Sequence, residues 1–295
     1  MKIGIAGTGK MGAAIATRLM GLGHEIMVWN RTQEKTRALA AAGVKVAATP
    51  AALAAGVETV VSILTDARAI EAVYHGPQGL LSGDVSGKLF VEMSTVRPET
   101  EVALAARVRQ KGAAIVECPV GGTVGPAREG KLIGFAGGEA ADVARARPLL
   151  EQMCRRVEHV GPVGAGTRMK LAINLPLMVY WQALGEALAL CAPLGLDPAR
   201  VMDIFADTSG GTNALKARGP AIAGVLKGES IRTVTFDVDS ARKDLRSMIE
   251  EARALGTELP VSERALECYD QAAKEGLGPA DTALLVARWA KRGKT

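Results

Sequence analysis

The chain has 295 residues, 48% hydrophobic, 23% charged and only 3% aromatic. That length supports a large core and two domains. Its net charge of +5 is spread over bases scattered among acids. With few aromatics for base stacking and no basic cluster beyond Arg145, Arg147, Arg155 and Arg156, a nucleic-acid partner is not expected, whereas an anionic small ligand suits the charge.

In chain order, Lys2–Ala6 reads as a buried strand that runs into Gly7-Thr8-Gly9-Lys10-Met11-Gly12, followed by Ile15, Leu19 and Leu22 at helical spacing. A second strand, Glu25–Trp29, follows Gly23 at once. In that context GxGxxG is a dinucleotide fingerprint. Gly7 allows the tight turn, Gly9 lets backbone approach a pyrophosphate, and Gly12 lets the helix pack on the strand. The second strand ends in Asn30-Arg31-Thr32, where an NAD site usually offers an acid to the ribose. A neutral Asn does not repel a 2′-phosphate and a guanidinium can grip one, so NADP(H) is expected over NAD(H).

Further strands are predicted at Val44–Ala47, Thr59–Leu64, Leu89–Glu92, Ala113–Glu117, Lys131–Ala136 and Arg156–Val160, with a helix opening at Pro98. Ligands gather at strand ends along one edge of a parallel sheet, so Leu64, Thr65 and Thr95 are candidate cofactor contacts. Cys118–Pro126 is too rich in Gly and Pro to read as regular; its glycines could offer N–H groups to a carboxylate or make a plain turn.

Gly164–Asn174 begins a long apolar helix reaching about Leu190. Its polar residues Lys170, Asn174, Gln182 and Glu186 lie at multiples of four and predict one stripe on a helix buried nearly all round. Pro176 removes one helical hydrogen bond and is a candidate kink. Beyond it only helical patterns follow, among them a helix after Phe236 carrying Lys243-Asp244-Leu245, two more from about Ser262 and Ala280, and a basic end at Lys291–Lys294. The expected architecture is α/β: a Rossmann-type doubly wound sheet in residues 1–163, then an all-α domain in 164–295, joined by the long helix. Cys118, Cys154, Cys191 and Cys268 show no CxxC and the three histidines are far apart, so no metal site is read and reduced thiols in a cytoplasm-like compartment are expected. No signal peptide and no membrane span are expected.

Five ordered blocks together resemble the β-hydroxyacid dehydrogenase family. They are Gly7–Gly12, Ser94-Thr95, Pro119-Val120-Gly121-Gly122, Gly164-Ala165-Gly166 leading to Lys170 and Asn174, and Lys243-Asp244-Leu245. Val28–Thr32 and Pro126–Gly130 look most like its NADPH-using glyoxylate/succinic semialdehyde reductase branch. The resemblance implies reduction of a small anionic aldehyde, Lys170 as catalytic residue and Asn174 as its support. It places Thr95 and Lys243 on the cofactor, and Phe236 and Asp244 near nicotinamide and substrate. Gly121, Gly122 and Thr123 would hold a carboxylate through backbone N–H groups, although the family commonly has Ser where this chain has Gly121. A homo-oligomer, dimer or tetramer, is expected. The alternatives are a 3-hydroxyisobutyrate dehydrogenase and a non-catalytic NADP-binding sensor or scaffold, which has no need of Lys170. The helix start should make that lysine a better acid, since its positive dipole end disfavours the ammonium.

Overall fold

Short runs of Ile, Val, Leu and Phe bounded by glycine become buried strands, and the amphipathic stretches between them become helices. The computed structural model describes residues 1–292, which divide into two units, Met1–Leu171 and Ala172 onward. The first unit runs β1 (Lys2–Ala6), α1 (Lys10–Gly21), β2 (Glu25–Trp29), α2 (Arg37–Ala41), β3 (Lys45–Val46), α3 (Pro50–Ala55), β4 (Thr59–Ser62) and α4 (Ala67–His75). It continues through β5 (Leu89–Glu92), α5 (Pro98–Gln110), β6 (Ala114–Glu117), β7 (Val120–Gly121), α6 (Val124–Glu129), β8 (Leu132–Gly137), α7 (Ala140–Met153) and β9 (Cys154–Gly161). All nine strands join one sheet in the order β3-β2-β1-β4-β5-β6-β8-β7, with β9 paired to β8.

From β3 to β6 the pairing is parallel; β8 runs antiparallel to β6 and β7. Side chains alternate across the pleat. Leu89 and Val91 of β5 enter one apolar layer with Ile15 and Leu149, while Phe90 enters the other with Leu53, Tyr74 and Ile115. By the same alternation Glu92 and Glu117, which are register partners at the ends of β5 and β6, leave the sheet on the Phe90 side.

Three expectations change here. The segment read as irregular holds a strand, β7, and a short helix, α6. Pro126 is tolerated because it sits in the first turn of α6, where N–H groups have no helical acceptor. The long helix α8 (Ala165–Cys191) stays helical through Pro176, but it is not buried all round: Ala172, Ile173, Pro176, Ala183 and Leu190 are exposed. Nor do its polar residues share one face. Each step of four advances 400°, so the row drifts by about 40° a step, and Gln182 is buried while Glu186 is exposed. By length and composition alone residues 165–194 could cross a membrane, and no other described helix could.

The second unit contains most of α8, then α9 (Pro198–Ala206), α10 (Asn213–Leu226), α11 (Val238–Ala254), α12 (Pro260–Ala272) and α13 (Thr282–Arg292). Of the basic end read from sequence, Gly293 and Lys294 lie outside the described residues. Trp181, Leu184, Leu188, Met202, Leu215, Ile222 and Val286 form its core. Asp281, just before α13, ties three segments together. It pairs with Arg218 of α10 and accepts hydrogen bonds from the N–H of Ala283 (3.0 Å) and of Thr235 (2.9 Å), the residue preceding Phe236. Burial alone would push this carboxyl up, yet these donors and the guanidinium hold it below its ordinary range. Asp281→Ala leaves Arg218 without that carboxylate and removes a helix-start acceptor, so unfolding in urea should show a loss of roughly 3–5 kcal/mol. A loss below about 1 kcal/mol, the scale of a surface pair, would show that the ion pair is not what holds these segments.

Candidate functional site

At the C-terminal end of β1 the chain turns on Gly7, whose φ of +99° excludes most L side chains. A Cβ there would strike the carbonyl oxygen of Ile63, and one at Gly12 would strike that of Gly7. Gly9 is different: a Cβ on it would meet nothing within 4 Å, so the space above it is open for a ligand. A cavity of about 530 Å³ begins there, bordered by Gly7, Gly9, Asn30, Arg31, Thr32, Lys35, Leu64 and Thr65. The remaining turn residues, Thr8, Lys10 and Met11, lead into the positive end of α1. The Thr8 hydroxyl is buried with no hydrogen-bond partner among the described residues. An open glycine, an unsatisfied hydroxyl and two bases at one rim fit a phosphorylated dinucleotide.

Asn30 has a role that its charge did not reveal. Its Oδ1 accepts from the N–H of Thr8 (2.9 Å) and its Nδ2 donates to the carbonyl of Thr32 (2.9 Å). The side chain thus builds the rim, leaving Arg31 and Lys35 as the cations. Lys35 was missed in the sequence, although it lies four residues past Arg31.

The next loops are held by buried carboxyls. Glu92 accepts from the N–H (2.8 Å) and hydroxyl of Ser94, and the Ser94 Oγ accepts from the N–H of Leu64 (2.7 Å). One glutamate therefore ties the turn carrying Thr95 to the turn carrying Leu64 and Thr65. Glu117 accepts from the N–H of Gly164, Gly166 (2.9 Å) and Thr167 (3.2 Å) and from the Thr167 hydroxyl (2.6 Å). It caps α8, in which Lys170 is the sixth residue and only 8% exposed. Lys170 is therefore in the second turn, and the positive helix end is occupied by Glu117, so the dipole argument for its acidity does not carry over. Gly121, Gly122 and Thr123 follow Glu117 after Cys118, Pro119 and Val120. A Cβ at Gly121 would make ordinary contacts, whereas Gly122 has φ +125° and abuts Leu132. An acid closing an otherwise apolar strand was the available signal for both glutamates.

The other predicted residues belong to the second unit. Asn174 follows Lys170 by one turn of α8 and is half-buried. Phe236 accepts the Thr282 N–H through its carbonyl, and the buried Asp244 pairs with Lys243 at 2.8 Å. Burial pushes the Cys118 thiol up and the Cys154 thiol up to about 12, which disfavours a thiolate at either.

Burial also raises the Glu92 carboxyl to about 7. Glu101 of α5 faces it, fully buried, with neither oxygen receiving a hydrogen bond from the described residues, and its carboxyl is raised well above the ordinary value. Two such carboxyls are reconciled if Glu101 keeps its proton and donates to Glu92. The native state then binds more protons than the unfolded chain between the ordinary 4.5 and about 7, so stability falls as pH rises through that window. Glu101→Gln keeps a donor but not the proton, and chemical denaturation across the window should show a flatter decline. An unchanged slope would place the titration elsewhere.

Residues 2–161 match the family model for the NAD-binding domain of 6-phosphogluconate dehydrogenase. Residues 164–289 match the model for the NAD-binding region of NADP-dependent 3-hydroxyisobutyrate dehydrogenase. A 3-hydroxyisobutyrate dehydrogenase of Pseudomonas aeruginosa is 33% identical over 90% of both chains. Glyoxylate/succinic semialdehyde reductase 1 of Arabidopsis thaliana is 30% identical over 97% of both. The solved structure of Psf3 in complex with NADP+ and 2-OPP superposes with a TM-score of 0.86 at 28% identity, covering 97% of this chain and 99% of that one. A fingerprint turn, an Arg-Lys rim and whole-length similarity thus converge: the chain belongs to the NADP-dependent β-hydroxyacid dehydrogenase family that includes the 3-hydroxyisobutyrate dehydrogenases and semialdehyde reductases.

Proposed function

We propose that the enzyme reduces a small anionic semialdehyde or 2-oxo acid, of the glyoxylate, succinic semialdehyde or tartronate semialdehyde class, to the hydroxy acid, with Lys170 as proton donor. The coarser activity, NADP(H)-dependent oxidoreduction of small hydroxy acids or semialdehydes, goes with the family. One observation carries the finer reading. Lys170 is a buried lysine on a helix whose start is bonded to the C-terminal end of β6, the same sheet edge that bears the dinucleotide turn. Ligands of such sheets bind along that edge.

Bound NADPH supplies the hydride. As negative charge grows on the carbonyl oxygen, Lys170 stabilises it and gives up a proton to it. Asn174, one turn along, orients the oxygen or the ammonium. The N–H groups of Gly121, Gly122 and Thr123 hold the substrate carboxylate and Thr95 contacts the cofactor; the family resemblance assigns Lys243 to the cofactor and Phe236 and Asp244 to the substrate. The same groups run the reverse oxidation, so a 3-hydroxyisobutyrate dehydrogenase is the second reading, favoured by the 33% identity to one. A cytoplasmic homo-oligomer suits four free cysteines and the exposed Leu190, Leu194 and Ile204.

A panel of small aldehydes assayed with NADPH should show turnover that Lys170→Ala lowers in kcat by roughly 10²–10⁴ with little change in NADPH binding. Lys170→Arg keeps the charge but not a transferable proton and should fail nearly as badly. Full activity in the Ala variant would end the assignment.

At the cofactor rim, Arg31 and Lys35 make NADPH the tighter ligand. Arg31→Ala should weaken NADPH binding by roughly ten- to a hundredfold, the effect of one charge-assisted hydrogen bond, and Lys35→Ala should add to it, while NADH affinity stays unchanged. Equal affinity of the unaltered protein for both cofactors would contradict this.

A further inference from the structure

We propose that Glu117 is the positioning residue for Lys170: it fixes the start of α8 at the edge of the sheet and thereby sets where the ammonium stands. This rests on the reading of Lys170 as proton donor. The carboxylate is fully buried and takes four hydrogen bonds, from Gly164, Gly166 and twice from Thr167, so that the first turn of α8 is bonded to the last residue of β6.

The contact is made at the closest approach the backbone allows. A Cβ at Gly166 would strike the carbonyl of Phe135, and one at Gly137 would strike the carboxylate itself. Lys170 follows Thr167 by three residues, so it lies over the same side of the helix, and helical side chains lean back toward the N-terminus. Glu117 also lies three residues before β7, which carries Gly121 and is followed by Gly122. A single carboxylate therefore ties the helix that bears the proton donor to the strand whose chain reaches Gly121 four residues later. The titratable groups facing it are Glu92 on the neighbouring strand and Glu101 of α5.

The test is a double-mutant cycle with Glu117→Gln and Lys170→Ala. Alone, Glu117→Gln should lower kcat by roughly ten- to a hundredfold, the effect of a small misplacement of a reacting group, with NADPH affinity unchanged. In the Lys170→Ala background it should lower kcat no further, because residues acting as one unit are not additive. In the cofactor-free protein, amide exchange across residues 164–170 should accelerate.

An equal loss in both backgrounds means a merely structural cap and overturns the proposal, as does unchanged exchange in that turn. If Lys170→Ala retains full activity, it is the reading of Lys170 that fails, and the proposal falls with it. If the Gln variant does not fold, Thr167→Val removes one of the four donors. A severalfold fall in kcat at unchanged NADPH affinity supports the proposal, and unchanged kcat overturns it.

Discussion

A carboxylate taken out of water without a matching cation must be compensated by hydrogen-bond donors, and here those donors are the backbone N–H groups of the site loops. Glu92 and Glu117 stand side by side at the ends of adjacent parallel strands. Each binds a neighbouring stretch of chain: Glu92 the Ser94 turn and, through Ser94, the Leu64 turn; Glu117 the start of α8. Three of the loops on this edge owe their placement to those two side chains. Glu101, facing them without a hydrogen-bond donor, fits the same constraint as a carboxyl that keeps its proton.

The cofactor rim uses a different division of labour. Asn30 satisfies one N–H from the first turn and one carbonyl from its own, so it joins β1 and β2 ends into a single wall. Charge is left to Arg31 and Lys35 at the mouth of the cavity. Affinity for a phosphate and the shape that receives it are thus carried by separate side chains, and phosphate selectivity can change without dismantling the turn.

The helix α8 belongs to both units. Its first turns, with Lys170, are bonded into the sheet domain, and the remainder supplies Trp181, Leu184 and Leu188 to the helical core. In the second unit the Arg218–Asp281–Thr235 contacts hold the segment before Phe236 and the start of α13 together, which fixes the approach to α11 and its Lys243-Asp244 pair.

Much of this was legible in the residues themselves. Alternating apolar runs and glycine-bounded turns determined the parallel sheet, the order of sheet domain before helices, and the dinucleotide turn, because burial periodicity and φ-restricted glycines are local properties. The position of Lys170 on an apolar helix was local too. What sequence could not supply was anything that depends on which strand ends become neighbours. Glu92 and Glu117 each close an apolar strand, but that they stand beside one another and face Glu101 follows only from the β5–β6 pairing, and Asn30 read as a phosphate-tolerant side chain until the β1 turn consumed its amide. The short β7 and α6 were hidden because Gly and Pro there serve first-turn and close-approach roles that are set by β8 and not by their own propensity. Local pattern determined what each segment would be; the tertiary structure decided which buried polar groups must satisfy one another, since desolvation is a property of the assembled fold and not of any residue in the chain.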